Sequence, residues 1–523
     1  MFKAILTNPA KLFNLTGWRA LGSAFLLGFA IRLIPELLSF PSPIGFDTVD
    51  YAFVIKAGVV WSGWTSFFTS SWLLYAISVP FGRLGIDPFA LLKVLGPILF
   101  GLNVAGVFWF ARKALGWNAQ LSVLACGFFA LQLASLRISW DLLRNCLGMG
   151  LVLFALSFVG RVKSRRGLAG FALLGVLAVF AHEYASVTLL GVVLGLLIWR
   201  FVGKRVDSDW RRLFAGVVPA LAVFSVGLVL RFVPAGSTGG SSVIDVGDAV
   251  RAKSGGVFFL VDYLSVRSGI DFYGSYFGLV WSVLLLFVVL YGSVLLLVLK
   301  GFFRDEVLTA WTGLLLVGGF GCLVVPFCAL EYWHRWMFML VYPFTYFAVN
   351  GLRRVWALQG WGRFIGRLRF SRREARLMVL VSAALGISYL FTPVLMNSAN
   401  VSISSVTATY TYFSTNPTVP YQDVSNVADV MRWLNVNMDA DSCVALHHAF
   451  LYWGRLDLDD SHIILHFELD ADRAVEAGFA RGYSKVFFVW WNVPIGWYGV
   501  EVPVGFVQVF DSGRLSVYEY VRV

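Results

Sequence analysis

Charge is what this sequence has least of. Only 14% of its 523 residues are Asp, Glu, Lys or Arg, against 58% hydrophobic residues, and mean hydropathy is +0.75. That balance excludes a soluble enzyme with one anchor, and the chain reads as a polytopic membrane protein. Cysteine is scarce as well. Cys126, Cys146, Cys322 and Cys328 lie in or beside apolar runs, Cys443 lies in the tail, and no CxxC occurs. Neither a disulfide framework nor a zinc site is expected. The N-terminal apolar run has no small-residue cleavage site after it, so no removable signal peptide is read. Acids are in deficit, 30 Asp+Glu against 42 Lys+Arg, which gives a net charge of +12. In a soluble chain that excess would point to nucleic acid. Here cytoplasmic loops account for it, and no nucleic-acid partner is expected.

What is present in quantity is apolar sequence of bilayer length. Candidate spans lie near residues 18–40, 89–111, 118–136, 142–160, 168–181, 184–201, 212–233, 276–300, 307–329, 334–350 and 376–396, about eleven transmembrane helices in all. The stretch 69–86, "TSSWLLYAISVPFGRLGI", is ambiguous, and the basic clusters arbitrate. They fall at Lys3, Lys11 and Arg19, at Arg112 and Lys113, from Arg161 to Arg166, from Arg200 to Arg212, at Lys300 and Arg304, and from Arg353 to Arg376. With eleven spans and a cytoplasmic N-terminus, every cluster is cytoplasmic. A further span at 69–86 would turn the later clusters outward. That stretch is therefore expected to be an interfacial helix within a first outer loop, 41–88. A fourth outer loop, 234–275, carries "GSTGGSS" and is expected to act as a lid.

Polar sequence returns after about residue 397. "DVSNVADVMRWLNVNM" has helical spacing of Val424, Val427, Val430, Met431 and Leu434. "SHIILHF" and "SKVFFVWW" read as strands, and "FVQVFDSGRLSVYEY" as a hairpin turning at Asp511-Ser512-Gly513. The expected organisation is a membrane domain over 1–397 and a small α/β domain over 398–523. An odd number of spans makes the second domain extracytoplasmic. The sequon "NVS" at Asn400 then lies outside, where it is open to glycosylation.

In this threading the ionisable groups gather at the outer ends of helices. "GFDTVDY" puts Asp47, Asp50 and Tyr51 just after the first span. "LRISWDLLRN" puts Arg137, Asp141 and Arg144 at the second outer turn, and "FAHEYAS" puts His182 and Glu183 at the third. "LEYWHRWMF" puts Glu331, Tyr332, His334 and Arg335 at the fifth. Ionisable groups at membrane depth are costly and mark function. The pattern resembles the GT-C superfamily of integral membrane glycosyltransferases. These include protein O-mannosyltransferases, aminoarabinose transferases and, more distantly, the catalytic subunit of oligosaccharyltransferase. The tail motif "VWWNVPIGWYG" is similar to the WWD motif of the last, with Asn492 in place of the acid. The resemblance implies a polyprenyl-phosphate-linked sugar donor, a glycan, lipid or protein acceptor, and contact with membrane lipids.

Transfer of a sugar from a polyprenyl phosphate to a hydroxyl needs a base for the acceptor's proton and cations for the leaving phosphate. Asp47 is the expected base. Arg335 is the expected first phosphate ligand, with His334, Arg137 and Arg144 behind it. Asp50, Asp141 and Glu183 are supporting acids or metal ligands, and His182, Glu331, Tyr332 and Tyr51 are further site candidates. Each has a structural alternative. Asp47 and Asp50 also suit the cap of an interfacial helix, and Asp141 the cap of the next span. Arg137 and Arg144 also suit pairing with Asp141 or snorkelling, and His182 with Glu183 a polar turn. Arg32 and Glu36 read as an i,i+4 pair. His447-His448 and Trp490-Trp491 read as tail packing. No cofactor is assigned for this transfer. An oligosaccharyltransferase-like reaction on a lipid-linked glycan would add Mg or Mn held by Asp47, Asp141 and Glu183. A flippase would place charges near the midplane instead, and a glycan-binding scaffold would tolerate loss of Asp47.

The orientation is testable. A single cysteine near Gly167 is expected to resist an impermeant maleimide added from outside intact cells. Labelling there would overturn the topology.

Overall fold

The computed structural model describes residues 17–61, 63–204, 206, 208–231, 243–246, 276–324, 333–357, 371–395, 416–467, 470–492 and 500–521. Helix α1 (Trp18–Leu38) is followed by three short helices, α2 (Thr48–Ala57), α3 (Trp64–Thr69) and α4 (Leu73–Arg83). At 11 residues α4 spans roughly 16 Å, too short to cross a bilayer. Then come α5 (Pro88–Lys113), α6 (Ala119–Ala130), α7 (Leu133–Asp141), α8 (Leu143–Leu156), α9 (Arg165–Ala181), α10 (Glu183–Val202) and α11 (Ser208–Arg231). After the fourth loop follow α12 (Tyr276–Tyr291), α13 (Leu295–Gly301), α14 (Glu306–Phe320), α15 (Trp333–Met339), α16 (Val341–Ala357) and α17 (Arg372–Leu390).

Each of the eleven expected spans coincides with one of these helices or a pair of them. Fewer meet the demands of a simple span. Among the described residues six helices are long and apolar enough to cross a membrane, or up to eight if each bent pair counts once. The pairs α6–α7 and α12–α13 bend by 64° and 75°. The remainder fall short for visible reasons. Helix α9 has 17 residues, α15–α16 is interrupted at Leu340, and α17 opens on Arg372, Arg373, Glu374 and Arg376.

The basic ends of the helices meet one another. Lys163 pairs with Asp209 at 2.9 Å, Arg212 donates to the Lys163 carbonyl, Arg200 bridges Glu306 at 2.9 Å, and Arg354 donates to the Lys300 carbonyl at 2.7 Å. These residues close one end of the bundle. The acids and arginines singled out above sit at the opposite ends of the same helices. Gly167 is tightly packed, since a Cβ there would lie 2.1 Å from the Arg161 carbonyl oxygen, so the exposed neighbour Arg166 is the better labelling position.

The C-terminal unit holds α18 (Val424–Asn437), β2 (Ser442–His447), α19 (His448–Asp457), β3 (Ile463–Phe467), α20 (Ala471–Ala480), β4 (Lys485–Trp491), β5 (Val507–Asp511) and β6 (Leu515–Val521). Val427, Val430, Met431 and Leu434 of α18 are buried, the face read from its period. The hairpin β5–β6 turns at Asp511–Gly513 as expected, with Gly513 at φ +95°. Strands β2, β3 and β4 pair in parallel, as β-α-β units require, and are buried along most of their length. A further strand was not expected. β1 (Val243–Asp245) comes from the fourth loop and pairs in parallel with β3, giving the order β1-β3-β2-β4-β6-β5. The loop assigned to the membrane region therefore supplies an edge of the C-terminal sheet. Its segment Gly236–Ser242, read as a lid, lies outside the described residues, as does Asn400.

Asp423 locks the start of α18 onto the sheet. Fully buried, it pairs with Arg514 and accepts a 2.8 Å hydrogen bond from Trp491 Nε1. Asp423→Ala leaves both donors without their acceptor and should cost about 2–3 kcal/mol. Thermal unfolding of the detergent-solubilised chain measures it, and an unchanged transition would remove this lock from the account.

Candidate active site

The site begins where α1 ends and the chain must turn back along the bundle. Gly45 makes that turn at φ +83°, and a Cβ on it would stand 2.3 Å from Asp141 Cβ. Only glycine supplies both the backbone conformation and the space. The approach lets the Phe46 N–H donate to Asp141 Oδ2 at 2.9 Å. Asp141 Oδ1 accepts from Arg137, one helical turn earlier, and both side chains are buried. Asp141 is thus committed twice. It closes α7 and ties the first loop to it, whereas the expected role as cap of α8 falls to Leu142, without a side-chain bond.

Arg32 fixes this corner from α1. Its Nε donates to the Ser139 carbonyl at 3.1 Å and its Nη2 to the Trp140 carbonyl at 3.0 Å, satisfying acceptors that the end of α7 leaves open. Glu36 holds Arg32 at 2.8 Å, the i,i+4 pair read from sequence, and Lys93 of α5 holds Glu36 at 3.2 Å.

Asp47 follows immediately. It stands at the start of α2, yet its side chain makes no capping hydrogen bond, so the cap reading does not account for it. Burial pushes its carboxyl up to about 6, with Asp141 and Asp50 adding to the rise and Arg335 and Arg144 opposing it. Those four charges come from three sequence segments, one of them Asp47's own, and their joint action on one carboxyl places them together. Burial likewise raises Asp50, against the pull of Arg144 and Arg455. The Arg144 guanidinium lies 5.7 Å over Tyr51 and 5.9 Å over Tyr75. Its buried Nε has no hydrogen-bond partner among the described residues. Arg335, in the first turn of α15, lies 5.8 Å over Tyr184. His182 sits at the α9–α10 junction and accepts the Tyr184 N–H at 3.1 Å, within the fields of Arg144 and Arg335. His334 lies within those of Arg335 and Arg137.

The structure therefore brings together Asp47, Asp50, Tyr51, Arg137, Asp141, Arg144, His182, His334 and Arg335. It divides them as well. Arg137 is paired with Asp141, whereas the buried Arg144 Nε lacks a hydrogen-bond partner among the described residues. Glu183 opens α10 beside His182, half-buried. Glu331 and Tyr332 lie outside the described residues. Among the described residues no group of three or more His, Cys, Asp or Glu side chains is arranged to hold a metal ion.

Sequence reasoning missed Tyr75, Tyr184 and the whole contribution of α19. His448, read as tail packing, stacks on Phe46 at 5.8 Å, while its neighbour His447 is buried and caps α19 through the Ala449 N–H at 3.1 Å. The available signal was a polar stripe at helical spacing on α19, but nothing in sequence says which surface such a stripe meets.

Gly45→Ala tests the corner. The steric clash and a positive φ should cost at least ~1–2 kcal/mol and displace Asp47, lowering both thermal stability and turnover. A fully active, equally stable variant would contradict the tight approach.

No protein-family model matches the chain, and no curated protein matches it. Solved structures do. ArnT from Cupriavidus metallidurans, bound to undecaprenyl phosphate, superposes with a TM-score of 0.50 at 15% identity over 94% of this chain and 97% of that one. The archaeal oligosaccharyltransferase AglB from Archaeoglobus fulgidus, in complex with an inhibitory peptide and a dolichol-phosphate, gives 0.43 at 12% identity over 88% and 69%. The chain shares the fold of that ArnT structure.

Proposed function

We propose that the chain is a membrane glycosyltransferase that moves a sugar from a polyprenyl-phosphate donor to a hydroxyl acceptor, with inversion, at the outer membrane face. The observation that carries this reading is the Asp47 carboxyl, free of capping duty and flanked by Arg335 and Arg144 at the end of the bundle opposite the basic clusters. ArnT, whose fold it shares, was solved with a polyprenyl phosphate, which supports a lipid-borne donor.

In this reaction Asp47 takes the proton of the acceptor hydroxyl as its oxygen attacks the anomeric carbon. The bond from that carbon to the phosphate oxygen breaks, and its electron pair leaves with the polyprenyl phosphate. Arg335 and Arg144 receive the growing negative charge. Both guanidinium groups lie over tyrosine rings, which hold their planes. Asp141 is the poorer base, because one oxygen is paired with Arg137 and the other accepts the Phe46 N–H. The same engagement counts against a metal-dependent transfer through Asp141. A flippase is disfavoured because the charges collect at helix ends.

The roles separate experimentally. Asp47→Asn keeps the shape and cannot take a proton, so single-turnover transfer from a labelled polyprenyl-phosphate sugar in liposomes should fall by roughly 10²–10⁴ while donor binding holds. Arg335→Ala should weaken donor binding as well as turnover. Wild-type transfer by Asp47→Asn would overturn the base assignment.

The pH profile is a second check. Asp47 works only when ionised, and its carboxyl sits at about 6, so transfer should fall as pH drops through about 6. Full activity at pH 4.5 would contradict it.

A further inference from the structure

Two buried asparagines meet at α8, and only one of them is used by the fold. Asn103 of α5 donates through Nδ2 to the Cys146 carbonyl at 2.7 Å and to the Leu99 carbonyl at 2.9 Å, and its Oδ1 accepts from the Tyr342 hydroxyl at 2.8 Å. Both ends of that amide are matched, as a buried structural amide requires. Asn145 of α8, the residue before Cys146, is only 1% exposed. Neither its Oδ1 nor its Nδ2 has a hydrogen-bond partner among the described residues. An amide buried in this way weakens the fold relative to an apolar side chain of the same size. Packing therefore gives no reason for it.

The helix indicates which way the amide lies. Gly148, three residues on, shares its face of α8. A Cβ on Gly148 would stand 2.5 Å from Ala185 Cβ and 3.3 Å from His182 Cβ, so this face lies against the corner between α9 and α10. Helical side chains lean toward the helix N-terminus, which carries Asn145 toward the end of the bundle where the acids and arginines collect. At the corner His182 stacks on Tyr184 at 5.4 Å, and Arg335 lies over the same tyrosine ring. Arg144, the residue before Asn145, lies over Tyr51 and Tyr75 of the first loop instead. On α8, Asn145 thus separates the side that carries Arg144 from the corner that carries Arg335.

The two unmatched atoms also restrict what the amide can meet. A phosphate oxygen only accepts, so it would match Nδ2 and leave Oδ1 bare. A hydroxyl both donates and accepts, and it matches both atoms. In a sugar ester of a polyprenyl phosphate, a ring hydroxyl lies next to the phosphate. Resting on the transfer reaction proposed above, we infer that Asn145 is a substrate-binding residue that hydrogen-bonds a hydroxyl of the donor's sugar, beside the phosphate held by Arg144 and Arg335. It makes the chain hold the sugar-bearing lipid more tightly than the spent polyprenyl phosphate.

The experiment measures equilibrium binding to the full chain in nanodiscs. The probes are undecaprenyl phosphate and its mannose, glucose and galactose esters, and the ester that the wild-type chain binds best is carried forward. Asn145→Leu should weaken binding of that ester by about 10- to 100-fold, because a sugar hydroxyl is left unmatched in a buried site. Binding of undecaprenyl phosphate should stay unchanged, which also shows that the variant is folded. Asn145→Ser, which cannot overpack, should show the same selective loss. The ligand-free unfolding temperature of Asn145→Leu should hold or rise, since an unmatched amide has been removed. Equal weakening for both lipids would make Asn145 a phosphate ligand and overturn the inference. Unchanged binding of both would overturn it as well, and is the outcome expected if the amide meets only water. A lowered unfolding temperature in both variants would return Asn145 to a packing role. A wild-type chain that binds neither the bare lipid nor any of its esters would count instead against the underlying reaction.

Discussion

A single carboxylate, Asp141, organises the end of the bundle where the acids and arginines collect. It can be buried because it is paired with Arg137 and bonded to the Phe46 N–H, and it needs both. The bond to Phe46 requires Gly45, because any side chain there would collide with Asp141. The backbone bond in turn sets the entry into α2 and so the position of Asp47 and Asp50. Arg32, Glu36 and Lys93 carry the same corner into α1 and α5. Removing Asp141 would take the buried Arg137 out of its ion pair and leave the first loop without this tether.

The consequence is a division of labour among like residues. Two acids of this region have their oxygens or guanidinium partners fixed by structure, Asp141 by Arg137 and Glu36 by Arg32 and Lys93. Asp47 is left with a raised affinity for protons and no capping bond. Two arginines, Arg32 and Arg137, are spent on holding the frame. Two others, Arg144 and Arg335, are laid over tyrosine rings and act on the Asp47 carboxyl through their charge.

Much of this was legible in sequence, and the reasons are physical. Spans of bilayer length and the one-sided basic clusters gave the helices and identified α4 as too weak a candidate to cross. The hydrophobic cost of burying charge confined the informative acids and arginines to helix ends, where short motifs such as "GFDTVDY" could be read. Period-2 and period-3.6 patterns gave α18, β3, β4 and the β5–β6 hairpin. What could not be read depended on long-range pairing. Whether Arg137 or Arg144 is free is decided by which one lies a turn from Asp141 on the same helix. β1 has only three residues, and its role appears only when β3 is beside it. His448 and Arg455 meet Phe46 and Phe53, which lie far away in sequence.

The central claim is that Asp47 faces a phosphate held by Arg335 and Arg144. The direct measurement is an experimental structure of the chain in a lipid nanodisc with bound polyprenyl phosphate. The account predicts the phosphate within hydrogen-bond distance of both guanidinium groups, with the Asp47 carboxyl on its open side. A phosphate seated instead beside Arg32 and Lys93, or a metal ion on Asp47 bridging to the phosphate, would contradict it.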